Sequence, residues 1–298
     1  MKKVLKWIGI LLGVLILIVA GVFFYLTNKA DKLMSQKFEV NPPVFAIPSD
    51  SASIAHGAKF AAGCRECHGD NLGGKVFFDD PSIGRIYSSN LTSGKGGIGS
   101  YTDLDWIRSV RHGVRPNGDG IMVMPAKDHF YMGEKDISSI IAYCKSVPPV
   151  DNVAGKNELK TMGKILMAIG AFGDMFSASA IKDHSKPPGS APPEGATVEY
   201  GNYLVRIYGC RTCHNEDLGG GKSPDPNSPP VPNLTPAGNL PKWGAAGFIN
   251  TLRTGKTPEG HLLDVKFMPY KAYGGFSDQD LTAMHMYFES LPKAEPKK

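Results

Sequence analysis

The chain repeats itself, and that constrains its fold more than any other feature. Cys64-Arg-Glu-Cys67-His68 returns as Cys210-Arg-Thr-Cys213-His214, 146 residues further on. Asn90-Leu91-Thr92 returns as Asn233-Leu234-Thr235 at an offset of 143, and Met124-Pro125 as Met268-Pro269 at 144. Arg111-x-Gly113 with Pro116-x-Gly118 returns as Arg253-x-Gly255 with Pro258-x-Gly260, at 142. Near the end of each stretch, Asp136, Ile140, Tyr143 and Pro148 fall on Asp280, Met284, Tyr287 and Pro292, again at 144. A period held over so many positions means two copies of one structural unit. The copies are expected at 50–150 and 196–292.

Each copy reads as helices joined by long loops rich in Gly and Pro, which number 35 and 23 among 298 residues. No stretch sustains the two-residue alternation of a half-buried strand, so the expected class is all-α. A helical stretch precedes each CxxCH motif, Ala52 to Ala62 and Val198 to Tyr208, and Gly57 and Gly201 there would permit a close helix crossing. The last helix of each copy carries apolar residues at helical spacing, Ile137, Ile140, Ile141 and Cys144 against Leu281, Met284 and Phe288. Ser277 with Asp280 resembles a capping box with Asp at the position usually held by Glu or Gln.

Residues 151–195 join the copies, and Lys186 to Pro193 reads as a stiff extended linker. Within that span Leu159, Met162, Leu166, Ile169 and Phe176 form an apolar stripe, with Ile165 and Phe172 beside them and Lys156, Lys160 and Lys164 opposite. The stripe reads as an amphipathic helix packed on one or both copies; the alternative is a membrane-surface or partner-docking helix.

Residues 1–30 read as a membrane anchor. Trp7 to Leu26 is a run of twenty residues without charge, enough for a helix to span a hydrocarbon core of about 30 Å. Lys2, Lys3 and Lys6 precede it, which places the N-terminus in the cytoplasm and the rest of the chain in the periplasm or on the outer face of a bacterial cytoplasmic membrane. A cleaved signal peptide is the alternative, but this run is longer than the roughly 7–15 residues of a signal core and no convincing small-residue cleavage site follows. The net charge of +5 belongs largely to this segment, since removing Lys2, Lys3, Lys6 and Lys29 leaves 29 basic residues against 28 acidic ones. The body lacks the basic excess that follows a phosphate backbone, so nucleic acid is not an expected partner.

CxxCH is the signal for covalent attachment of c-type haem: the two cysteines form thioethers with the vinyl groups, and the adjacent His is placed to ligate iron. A four-Cys zinc site would have to join motifs 146 residues apart in two separate copies. Met124 and Met268 both precede Pro, which biases them to extended backbone, and follow their motif histidines by 56 and 54 residues. Met122 competes with Met124. A thioether ligand would favour the reduced iron. Cys144, on the apolar stripe of a closing helix, reads as a small buried hydrophobe, and the remaining histidines, at 56, 112, 129, 184, 261 and 285, as structural or solvated.

These motifs resemble the class I cytochrome c family, in particular the membrane-bound dihaem c-type cytochromes related to cytochrome subunits of bacterial dehydrogenases. The resemblance implies two tandem class I cytochrome c domains behind one transmembrane helix. It implies two haem c groups, attached at Cys64 and Cys67 and at Cys210 and Cys213. The axial pairs would be His68 with Met124 and His214 with Met268. Arg111 and Arg253, and more weakly Asn90, Trp106, Asn233 and Trp243, would bind haem propionates. An electron carrier rather than an enzyme follows, taking electrons from a dehydrogenase or quinol oxidase to a terminal oxidase or soluble cytochrome. The alternative is a dihaem enzyme of peroxidase or thiosulfate-oxidising type, which would need one iron with an open site or an unusual ligand.

Overall fold

The computed structural model describes residues 2–223 and 228–295. Helix α1, Lys2–Met34, is about 50 Å long at 1.5 Å per residue. It is the one helix among the described residues long and apolar enough to cross a membrane. Its apolar side chains from Val4 to Tyr25 are exposed, because no other part of the chain covers them. The helix outruns the expected limit at residue 30, and its last turns belong to the body: Ala30 is fully buried, and Leu33 and Met34 pack with Ile86, Leu159 and Met167.

The first unit contains α2 (Ser51–Phe60), α3 (Ala62–His68), α4 (Asp103–His112), α5 (Ala126–His129) and α6 (Glu134–Ser146). The second contains α8 (Val198–Ile207), α9 (Cys210–His214), α10 (Leu240–Thr254), α11 (Tyr270–Gly274) and α12 (Asp278–Ser290). The caps are local and legible. Thr102 with Asp105 and Ser277 with Asp280 form capping boxes in which both reciprocal bonds are made. The repeated Arg-x-Gly element ends α4 and α10, where Gly113 and Gly255 take φ of 67° and 70°. Only a residue without Cβ enters that left-handed region at little cost.

The class is not purely α. A three-stranded antiparallel sheet, β1 (Val76–Asp80), β2 (Gly84–Tyr87) and β3 (Glu158–Leu159), joins a hairpin of the first unit to the connecting segment. These strands are too short to establish a period, and β1 lies largely exposed with no apolar alternation to betray it. The connecting segment also holds α7 (Thr161–Ala168) and a short 3-10 turn, Ser177–Ala180. The expected stripe is not the buried face of α7: the buried residues there are Gly163, Met167 and Ala168, none of them on the stripe, whereas Met162 and Ile169 are exposed and Ile165 and Leu166 half-buried.

The repeat is geometric as well as sequential. In each unit the helix before CxxCH crosses the closing helix at a glycine. A Cβ on Gly57 would overlap the carbonyl oxygen of Ser139, and one on Gly201 that of Ala283, 144 residues on. The two units share one apolar core, in which Phe60, Ile137 and Ile141 join Tyr200, Leu204, Leu281 and Phe288. Across the junction the contacts are paired. Tyr203 donates a hydrogen bond to Asp136, while Lys59 donates to Asp280 at 3.1 Å. Lys59 and Tyr203 are equivalent positions, as are Asp136 and Asp280. The units are therefore related by an approximate two-fold.

Candidate haem sites

The motif cysteines and histidines lie on α3 and α9, each directly after a helix of the crossed pair. His68 Nδ1 is 2.7 Å from the carbonyl oxygen of Ser89, and His214 Nδ1 is 2.8 Å from that of Pro232. A carbonyl can only accept, so Nδ1 carries the proton in both rings. The tautomer is thereby fixed and the Nε2 lone pair is left for a metal. Burial holds both imidazoles below the ordinary histidine range and so keeps them neutral.

A second tie fixes each motif. Arg65 donates to Tyr143 Oη at 2.6 Å, and Arg211 donates to Tyr287 Oη, so the residue after the first Cys grips the closing helix of its own unit. The Asn-Leu-Thr element serves the backbone. Asn90 Oδ1 accepts from Thr92 N and Oγ1 at 2.9 and 2.8 Å, while Nδ2 donates to Val150 O at 2.7 Å. Asn233 repeats this with Thr235 and Ala294 O. Both asparagines are spent on closing their units. Trp106 is buried in the core, and Trp243 Nε1 donates to Glu259 at 2.6 Å.

The backbone separates the two methionines that compete in the first unit. Val123, between them, takes φ of 68°, rare for a β-branched residue, and its N donates to Met175 O at 2.7 Å. Met124 packs against the main core, as Cys64 does, whereas Met122 packs with Ile86, Leu159 and Met167 on the side of α1. Met268 also packs against the main core, with Cys210. Ser177 Oγ donates to Met124 O at 2.7 Å and pins the loop.

Arg111 is 1% exposed, and its guanidinium lies over the Phe130 ring at 4.1 Å and donates to Phe130 O and Lys186 O. Arg253 donates likewise to Gly274 O and Phe276 O and pairs with Asp278. Both arginines hold the chain that follows the Met-Pro step. Burial lowers the Arg111 pKa to about 10, and its Nε has no partner.

Several nearby groups were not legible in sequence. Lys75 and Arg115 are close enough to His68 for their charge to bear on it, and Arg115 also reaches Ser89 Oγ at 3.3 Å. His129, expected to be structural or solvated, donates through Nδ1 to Val110 O at 3.1 Å and lies near His68. Cys144 is buried as expected, but its thiol donates to Cys64, which holds Cys64 below the usual thiol range. Burial pushes Cys67 and Cys213 up, and Cys210 to about 12. Each motif lies near a residue of the other unit: Tyr208 stacks on Phe60 with ring centroids 6.3 Å apart and lies near Cys64, while Asp128 lies near Cys210 and Cys213.

Fixed His tautomers, paired thiols and a thioether in the same core fit covalently held haem in both units. Among the described residues no cluster of three His, Cys, Asp or Glu side chains could hold a bare metal ion. Residues 55–144 match the family described as cytochrome c oxidase, cbb3-type, subunit III. The chain is 29% identical over 279 residues to the cytochrome c subunit of a quinone alcohol dehydrogenase from Gluconacetobacter polyoxogenes, an alignment covering 83% of this chain and 58% of that protein. It is 29% identical over 274 residues to the fructose dehydrogenase cytochrome subunit of Gluconobacter japonicus (82% and 54%). It is 26% identical over 261 residues to the gluconate 2-dehydrogenase cytochrome c subunit of Pantoea cypripedii (78% and 57%). The chain spans little more than half the length of these relatives. The match over residues 55–144 and these similarities agree with the relation to cytochrome subunits of dehydrogenases that the motifs implied. All three relatives are named as cytochrome subunits of dehydrogenases.

Proposed function

We propose that the chain carries two haem c groups in tandem cytochrome c domains, 50–150 and 196–292. It would relay electrons from a dehydrogenase subunit or quinol oxidase to a terminal oxidase or soluble cytochrome. The observation that carries this reading is the identical setting of the two motif histidines, each fixed through Nδ1 by a backbone carbonyl. Haem iron supplies a one-electron ferrous–ferric couple when bound.

The chain's own residues determine the properties of that couple. Cys64 and Cys67, and Cys210 and Cys213, would anchor the two groups as thioethers. His68 and His214 would ligate iron through Nε2, and Met124 and Met268 through their thioether sulfurs. The packing of Met124 on the core that Cys64 also lines supports it over Met122, whose position in the second copy is held by Lys266. Both sites would then be six-coordinate, which suits electron transfer and disfavours the dihaem-enzyme alternative. Arg111 and Arg253 would hold the loops that carry the methionines, with a haem propionate as a further acceptor for the unpartnered Arg111 Nε. Tyr208, between the motifs, would bring the two groups into electronic contact.

Helix α1 would anchor the protein in the bacterial cytoplasmic membrane, with its lysine-flanked N-terminus in the cytoplasm and the haem units on the outer face. Acid-acetone extraction followed by mass determination of the chain tests the reading. Two covalently retained haems are expected; release of haem, or the mass of one, would refute it. Carbon monoxide and cyanide should bind poorly to the native protein, and rapid stoichiometric binding would show an open iron instead.

A further inference from the structure

The connecting segment carries an apolar tip at the foot of α1. α7 runs antiparallel to α1: Lys164 Nζ pairs with Asp31 at 2.7 Å, and Lys29 Nζ donates to Ala168 O at 2.7 Å, so the chain advances along α7 toward the apolar run of α1. Beyond Ala168 it turns through Ile169, Gly170, Ala171, Phe172 and Gly173, with positive φ at both glycines. No residue from Ile165 to Gly173 is charged. Ile169 is 61% and Phe172 37% exposed, and Ala171 is exposed as well.

The position of this tip is set by α1. Lys29, its contact, lies three residues past Leu26, where the uncharged run ends, which is about 5 Å of helix. An apolar element lying in the headgroup region sinks roughly 5–10 Å into the boundary. We infer that the turn Ile169–Gly173 enters the outer interface of the bilayer crossed by α1, a second contact that fixes the tilt of the haem units over the membrane. Lys29 and Lys164 flank the turn on the body side, where headgroup phosphates would meet them. The inference rests on the anchor reading of α1.

The full chain in nanodiscs of phosphatidylethanolamine and phosphatidylglycerol, some bearing a diazirine near the glycerol, tests both. After illumination and trypsin digestion, label is expected in the peptide Trp7–Lys29 and in Ile165–Lys182. Label in the first alone overturns the inference and leaves the anchor standing; label in neither overturns the anchor. The double variant Ile169→Ser, Phe172→Ser, on exposed positions, should lose label severalfold in Ile165–Lys182 and keep it in Trp7–Lys29. Undiminished label in the variant would overturn the inference, as would protection of the turn from solvent by a second copy without lipid label.

Discussion

His112 and His184 face one another through their Nδ1 atoms, 2.9 Å apart, and the hydrogen bonds around them run in one direction. Arg111 donates to His112 Nε2 at 3.1 Å, so His112 Nδ1 must carry the ring proton and donate to His184. His184 Nε2 in turn donates to Ala178 O at 3.2 Å. The chain of donors leaves no place for an added proton on either ring. Burial, with Arg111 and His184 beside it, lowers the His112 pKa to about 3.

Acid should therefore destabilise the protein. A histidine held neutral in the folded chain contributes stability that is present above its unfolded pKa of roughly 6.5 and is lost as pH falls toward 3. The loss attributable to His112 should be about 2 kcal/mol at pH ~5, read from urea midpoints of the detergent-solubilised chain. His112→Gln should flatten the slope between about pH 6.5 and 5. An unchanged slope would show that the pair titrates normally.

Met124→His should keep the first haem six-coordinate and lower its potential by on the order of 0.1–0.3 V, inside the roughly 0.8 V that axial ligation spans. The second haem should scarcely move, because its ligands belong to the other unit; Met268→His should do the converse. Redox titration of both variants checks this. If both midpoints and the sulfur-to-iron charge-transfer band survive Met124→His, the ligand is Met122.

Gly57→Ala and Gly201→Ala each push a methyl group into a backbone carbonyl, of Ser139 or Ala283. Each should cost about 1–3 kcal/mol or prevent maturation, since two packed helices can separate only by disturbing the core. Exposed Gly189, with nothing near its Cβ, is the control. Haem content and urea midpoints are the readouts.

Tyr203→Phe removes one donor from Asp136, which keeps His56 Nε2 at 2.6 Å. The loss should be about 1–3 kcal/mol, because the carboxylate stays buried with one partner fewer. Denaturation followed at both haem bands should show whether the units still unfold together.

Position in the repeat made the motifs legible, because equivalent residues do equivalent work. Arg65 and Arg211 grip Tyr143 and Tyr287, and Gly113 and Gly255 end their helices alike. What escaped lies outside the repeat. The strand Val76–Asp80 is exposed and short, with no pattern to mark it. Met162 belongs to the apolar stripe in sequence but points outward, because the α7 face is set by Gly163 lying against Ile83 and Met167 against Ile86 and Leu159. His129 and Arg115 have no periodic partner, and only the folded chain brings them near His68.

The approximate two-fold has a consequence for how such a chain can be taken apart. Each unit presents to the other the same face, built from its crossed helix pair, with the Lys59–Asp280 and Tyr203–Asp136 contacts at equivalent places. That is the arrangement of an isologous homodimer whose two protomers have been fused into one polypeptide. A unit cut free would carry a self-complementary apolar surface and should pair with its own kind. Because Lys59 and Tyr203 differ, the fused form can tune each half independently, which two identical protomers cannot do.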